Sequence, residues 1–322
     1  MVIGADARHL LARRGVARYT AGMLGALPGE VRALVPGRAP VTAPAGVRLV
    51  RTRASSRLLF GAAALTGRPR LDDLLGGPDV TWLPAPAPVA VGDPYVLTVH
   101  DLSWEDRPGD FTAYERAWHR VARPRALARR AAAVVCDAPP VAEEVRRRWG
   151  VAARVVEPGV DHRPAAPHPG RYVVYVGALE PRKGLDVLAE AWARRPLDAE
   201  LLVAGEGRMH VPGARHLGHV GDDELGALYA GALAVVLPSR LEGYGLPPRE
   251  AAAHGTPSIV SDLPTLQLPG TLRVAPGDAD ALAEALRALP AERERLVAEL
   301  PPPRTWEQAA RELHAVLAEV AA

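Results

Sequence analysis

The chain has 322 residues, 48% hydrophobic and 24% charged, which excludes a disordered or fibrous protein and leaves room for two domains of ordinary size. A single cysteine, Cys136, excludes an internal disulfide framework and fits a reducing, cytoplasmic setting. The net charge of +2 is split unevenly, with 24 basic and 16 acidic residues up to Arg163 and 15 basic and 21 acidic after it, so two modules with different partners are expected.

From the N-terminus, Asp6 and Arg8 arrive too early for a secretory leader. Short apolar runs read as strands at 2–7, 31–35, 80–84, 95–99, 132–137 and 154–157, with helical patterns at 16–27, 114–130 and 141–149. A stretch at 161–170, in which six of ten residues are Pro, His or Gly, marks a domain boundary. Strands then follow at 172–177, 200–205, 232–238, 258–261 and 271–274, with helices at 184–194, 222–230, 248–254 and 278–289. After Pro301-Pro302-Pro303 a last amphipathic helix spans 305–320. The longest uncharged stretch, 225–239, is shorter than the roughly 20 residues of a spanning helix. Apolar strands alternating with helices predict α/β architecture with open, doubly wound parallel sheets.

Composition singles out one side chain. Among 39 cationic residues Lys183 is the only lysine, and the chain has no asparagine and two isoleucines, the signature of a gene of high G+C content. A lysine kept under that pressure marks a place where a compact point charge is needed. Lys183 sits in Gly177-Ala178-Leu179-Glu180-Pro181-Arg182-Lys183-Gly184, where a strand gives way to a helix. Two cations at a helix start predict an anion site, with diphosphate the natural ligand. A second strand, loop and helix follows in Ser239-Arg240-Leu241-Glu242-Gly243-Tyr244-Gly245-Leu246-Pro247, with Glu250 eight residues after Glu242. Two carboxylates bracketing a glycine-rich loop suit the vicinal hydroxyls of sugar or ribose, although acids near a helix start also serve as capping features.

These two loops together resemble retaining glycosyltransferases of the GT-B fold, family 4, mannosyltransferase-like members of the group 1 glycosyl transferases. Supporting segments keep the family's chain order: Gly15-Val16-Ala17-Arg18-Tyr19, Val99-His100-Asp101-Leu102-Ser103, Pro158-Gly159-Val160-Asp161 and Gly218-His219-Val220. The resemblance implies two Rossmann-like domains facing a central cleft. Residues 1–163 would form the acceptor side, completed by the terminal helix 305–322, and residues 171–304 the donor-binding side. It also implies a catalytic set of His100, Glu242, Arg182 and Lys183. Donor contacts would come from Gly15, Gly177, Arg182, Lys183, Gly243, Tyr244, Gly245, Leu246 and Glu250. In that reading Glu250 holds the ribose hydroxyls, Glu242 and His100 face the transferred sugar, and Arg182 and Lys183 neutralise the diphosphate.

The implied activity is hexosyl transfer from a nucleoside diphosphate sugar to a hydroxyl acceptor, with a lean toward GDP-mannose over a UDP-sugar. No cofactor and no metal are expected, and no nucleic-acid partner. A nucleotide-sugar epimerase of the same fold and a non-catalytic partner protein remain alternatives. Departures from the family pattern are Ala178 where many members carry arginine, and Arg13-Arg14 before Gly15 where many have paired glycines. Asp278-Ala279-Asp280 reads as a helix cap rather than a metal motif, and Val203-Ala204-Gly205-Glu206-Gly207 lacks the third glycine of a dinucleotide fingerprint. The basic, aromatic segment 114–130 is a candidate contact with the inner, anionic membrane face, and a solvated helix kinked at Pro124 otherwise.

Overall fold

The computed structural model describes residues 1–12 and 15–322, so the Arg13-Arg14 departure lies outside the described residues. Contacts divide the chain into two compact units, Met1–Gly159 with Arg304–Ala322, and Val160–Pro303.

In the first unit seven strands form one parallel sheet. They are β1 (Val2–Asp6), β2 (Glu30–Pro36), β3 (Val47–Thr52), β4 (Val80–Leu83), β5 (Tyr95–Val99), β6 (Ala133–Cys136) and β7 (Arg154–Val155), in the order β3-β2-β1-β4-β5-β6-β7. The central strands β4 and β5 are buried at every position, as expected for a parallel sheet covered on both faces. Cys136 is fully buried at the end of β6, where burial pushes its thiol far up. The last helix, Trp306–Ala321, opens with a capping box at Thr305 and Gln308 and belongs to this unit. Its Trp306 ring lies against Gly22, where any Cβ would collide with the indole, and Glu319 pairs with Arg154 at 2.5 Å.

The second unit holds six parallel strands. These are β8 (Tyr172–Val176), β9 (Glu200–Ala204), β10 (Arg215–Gly218), β11 (Val235–Leu237), β12 (Ser258–Ser261) and β13 (Thr271–Val274), in the order β10-β9-β8-β11-β12-β13. One core joins β8, β9, β11 and β12 to the helices Leu185–Ala193 and Ala279–Ala298. The irregular stretch 161–170 lies with this unit, and the His168 amide donates to the Ala227 carbonyl.

Both sheets are doubly wound, with strand order reversing between β1 and β4 in one and between β8 and β11 in the other. Such a reversal leaves a crevice at the carboxyl ends of the two strands, where ligands of open α/β sheets bind.

Two expectations are corrected, and three elements are new. The single helix at 114–130 is two, Ala113–Ala122 and Pro124–Arg130, because Arg123 adopts a left-handed φ of 48° ahead of the proline. The helix expected to stop at 289 continues to Ala298 through Pro290. Burial of Leu296 beyond the proline offsets the lost hydrogen bond, since a buried leucine contributes roughly 1.5–3 kcal/mol. The edge strands β3 and β10 and the helix Ser56–Thr66 were not anticipated, for neither strand carries a continuous apolar run.

Candidate functional site

The reversal between β8 and β11 brings the two motif loops of the second unit together. Gly177 directly follows β8, its amide donating to the Ala204 carbonyl at 3.0 Å. Pro181–Lys183 then form one short helical turn, and Gly184 takes a left-handed φ of 68°. A Cβ on Gly184 would run into the Pro238 carbonyl at the start of the other loop, so only glycine allows this approach.

Arg240 staples the loops. Its amide donates to the Arg182 carbonyl at 2.9 Å, and its guanidinium reaches the Pro181 carbonyl at 3.0 Å and both Asp186 oxygens at 2.6 Å. Those side-chain hydrogen bonds hold the Asp186 carboxyl below its usual range.

Inside this frame lie the two residues on which the sequence reading converged. Lys183 Nζ donates to Glu242 Oε1 at 2.6 Å, and the Ser239 hydroxyl donates to the same oxygen at 2.6 Å. The pair is nearly buried, with side-chain exposures of 13% and 8%. Thr265 fixes the Glu242 backbone by donating to its carbonyl at 2.8 Å. Arg182 pairs instead with Glu180, at 3.0 Å.

Beyond Glu242, Gly243, Tyr244 and Gly245 are buried, and Leu246 opens the helix Leu246–Ala253. The Arg249 guanidinium stacks over the Tyr244 ring, 3.6 Å from its centroid, and donates to the Tyr244 carbonyl. Gly245 has φ 77°, and a Cβ there would strike Leu266. Glu250 is buried one turn into the helix, its carboxylate accepting a 2.7 Å bond from the Tyr229 hydroxyl. A lysine and two carboxylates, with helix-start backbone between them, can hold an anion and hydroxyl groups side by side.

In the first unit the strand ends carry a second set of polar residues. His100 follows β5 and Asp137 follows β6, and His100 Nδ1 lies 2.6 Å from Asp137 Oδ2. The Tyr19 ring meets the imidazole edge-on at 4.7 Å. Burial opposes charge on His100, but the charge and hydrogen bond of Asp137, with the charge of Asp101 and a hydrogen bond to the Pro84 backbone, prevail and raise its pKa above 6.5.

After β1, Asp6 and Arg8 form a buried ion pair, Arg8 Nη2 donates to the Pro86 carbonyl at 3.1 Å, and burial lowers the Arg8 pKa to about 9. His9 is held well below its ordinary pKa by burial and by the charges of Arg8 and His100. Gly15 opens the helix Gly15–Ala26, and a Cβ there would meet nothing within 4 Å.

Thus Gly177, Arg182, Lys183, Glu242, Gly243, Tyr244, Gly245, Leu246 and Glu250 gather in the second unit, while His100 and Gly15 lie in the first. The sequence reading missed Ser239, Arg240, Tyr229 and Asp137. Asp137 carried a signal, a carboxylate closing the apolar strand expected at 132–137. Asp278 caps the helix Ala279–Ala298, accepting from the Ala281 amide at 2.9 Å, and Asp280 pairs with Arg194. Among the described residues no group of three or more His, Cys, Asp or Glu side chains is arranged to hold a metal ion.

Residues 13–163 match the family described as Glycosyltransferase Family 4, and residues 170–292 the family described as Glycosyl transferases group 1. O-antigen chain mannosyltransferase B of Escherichia coli is 33% identical over 132 residues, 35% of this chain and 35% of that protein. The matched stretch thus spans about a third of that relative's length. Sucrose-phosphate synthase from Thermosynechococcus elongatus superposes with a TM-score of 0.71 at 20% identity, covering 99% of this chain and 98% of that one. Anabaena HepE, solved in complex with UDP-glucose, superposes at 0.67 with 16% identity, covering 99% and 98%. The chain belongs to the family 4, group 1 glycosyltransferases and has their GT-B fold, two Rossmann-like domains with parallel sheets.

Proposed function

We propose that this protein transfers a hexose from a nucleoside diphosphate sugar to a hydroxyl acceptor, such as a lipid-linked glycan or a small natural product, with retention of configuration. The observation that carries the reading is the Lys183–Glu242 pair, fixed by Ser239 at the strand reversal of the second unit. Lys183 and Arg182 would neutralise the diphosphate as the glycosidic bond breaks, a stabilisation of developing charge that requires no resident metal. Glu242 would then face hydroxyls of the sugar, and Glu250, oriented by Tyr229, the ribose. Backbone amides of Gly243, Tyr244, Gly245 and Leu246 would add donors, and Gly177 would leave room for the phosphates.

In the first unit His100 would bind the transferred sugar, and Gly15 would let the backbone come close to it. The acceptor oxygen would attack the anomeric carbon on the face from which the diphosphate leaves, and its proton would pass to the departing phosphate oxygen.

The mannosyltransferase relative supports GDP-mannose as the first donor to test, and UDP-glucose, present in the HepE complex, is the second. Incubation with each donor and a panel of hydroxyl acceptors, in EDTA, is expected to give an α-linked product from one of them. A β-linked product, or one formed only with added divalent metal, contradicts the proposal.

We further propose that the first unit touches an anionic membrane face. No helix among the described residues is long and apolar enough to cross a membrane. Support comes from exposed Tyr114 and Val121 on the helix Ala113–Ala122, and from exposed Leu58 and Leu65 on Ser56–Thr66. Arg57 lies 5.0 Å from the Tyr114 ring. Such a mixture suits an interfacial contact. Co-sedimentation with phosphatidylglycerol vesicles and not with phosphatidylcholine vesicles is expected, and equal recovery with both contradicts it.

A further inference from the structure

The strongest hold on His100 is from one side. Its Nδ1 faces Asp137 at 2.6 Å, while its Nε2 is buried without a well-aligned hydrogen bond, the Pro84 backbone adding a weaker contact to the ring. An imidazole bonded at one nitrogen has its tautomer and ring plane set by that bond, and the other nitrogen becomes the working atom.

The surroundings reinforce this orientation. Tyr19 packs edge-on against the ring and is anchored through its hydroxyl to Thr98, 3.4 Å away, which also accepts from the Trp82 indole at 3.0 Å. The carboxylate comes from the adjacent strand end, since Val99 pairs with Cys136 across β5 and β6 and each polar residue is the next one along. Register therefore places the two side chains together, and a one-residue slip would separate them.

The charged and titratable groups around His100 are Asp137, Asp101, Tyr19 and His9. His9 also has a buried Nε2 without a hydrogen bond, but burial, with the charges of Arg8 and His100, holds its pKa well below the ordinary value. Among these groups only Asp137 bonds the ring directly.

We propose that Asp137 is a positioning residue: it holds His100 with Nδ1–H toward its own carboxylate and so presents Nε2 to a hydroxyl of the bound sugar. This rests on the reading of His100 as a sugar contact. It adds to that reading a carboxylate that touches no substrate and acts only through the imidazole.

The test uses the full-length protein with ring-15N histidine, and His100→Gln to assign the His100 signal. In the native protein that signal should show the Nδ1–H tautomer where neutral and a midpoint above the ordinary 6.5. Asp137→Asn keeps the shape but removes the charge, and should bring the midpoint below that of the native protein. Nucleoside diphosphate release from GDP-mannose and UDP-glucose, with water as acceptor, is followed against pH on the same samples. Asp137→Asn should lower kcat roughly 10- to 100-fold with little change in KM, and shift the pH limb assigned to His100. In a His100→Gln background the same substitution should have no further effect, the signature of two residues acting as one.

An unchanged titration, or additive losses in the double variant, overturns the proposal. If Asp137→Asn does not fold, Asp137→Glu takes its place and should retain the raised midpoint and part of the activity; loss of both overturns it. Nucleotide binding retained beside an unshifted pH limb overturns this inference alone, whereas no binding of either donor overturns the transferase reading and this inference with it.

Discussion

Lys183→Ala would leave the Glu242 carboxylate nearly buried with the Ser239 hydroxyl as donor. Breaking a buried pair from one side costs about 3–5 kcal/mol, most of it the uncompensated charge. Urea denaturation should therefore show a large loss for Lys183→Ala, partly restored in Lys183→Ala/Glu242→Gln, and equal losses in the two variants would contradict a charge effect. The His100–Asp137 pair makes stability depend on pH in a defined direction. The folded His100 pKa is raised, so the pair's contribution is fully present below the unfolded value near 6.5 and is lost as pH rises through the folded value. The gap in melting temperature between the native protein and Asp137→Asn should thus be wider at about pH 5.5 than at about pH 8.5. A gap independent of pH would show that the imidazole carries no extra proton.

Among the elements, the helix Ala279–Ala298 carries an exposed proline in its interior, at Pro290. Proline there forfeits a backbone hydrogen bond, so Pro290→Ala should raise stability by about 1–3 kcal/mol in chemical denaturation. A loss would mean that the local bend is needed for Leu296 to pack. At Gly184 the opposite holds, since an added Cβ meets the Pro238 carbonyl at a left-handed φ. Gly184→Ala should cost more than the roughly 1–2 kcal/mol of holding an alanine at a left-handed φ, because of the added clash, and should weaken nucleotide binding through the displaced loop. The same elements show what a sequence can and cannot convey. Tyr95–Val99 and Ser258–Ser261 match the expected bounds because apolar runs between turn residues mark buried parallel strands, and Thr271–Val274 matches as well although it is an edge strand exposed at Arg273. Strand β3, Val-Arg-Leu-Val-Arg-Thr, was invisible because an edge strand needs no continuous apolar face. The break at Arg123 was read as a kink because the proline announces a disruption but not the φ of the residue before it.

At the scale of the molecule, the chain builds the same parallel architecture twice and sets polar residues at the carboxyl ends of both sheets. The two glycine-rich loops proposed to hold the donor were legible because glycines, a lone lysine and two glutamates stand at fixed spacing in one stretch of chain. Their partners were not, because Ser239, Tyr229 and Arg240 act through contacts that only folding creates. The charge asymmetry was legible too, yet the residues that would meet the diphosphate lie in the half with the acidic balance. Local placement of Arg182 and Lys183 therefore outweighs net charge in defining that site. The most direct test of the central claim is calorimetric titration of the protein with UDP, GDP, ADP and dTDP, each in EDTA and with added divalent ion. One nucleotide should bind with the same affinity in both conditions, and Lys183→Ala and Glu250→Ala should each weaken it by about tenfold or more. Binding of none of the four, or binding only in the presence of the metal, would contradict a nucleotide-sugar donor held by this loop pair.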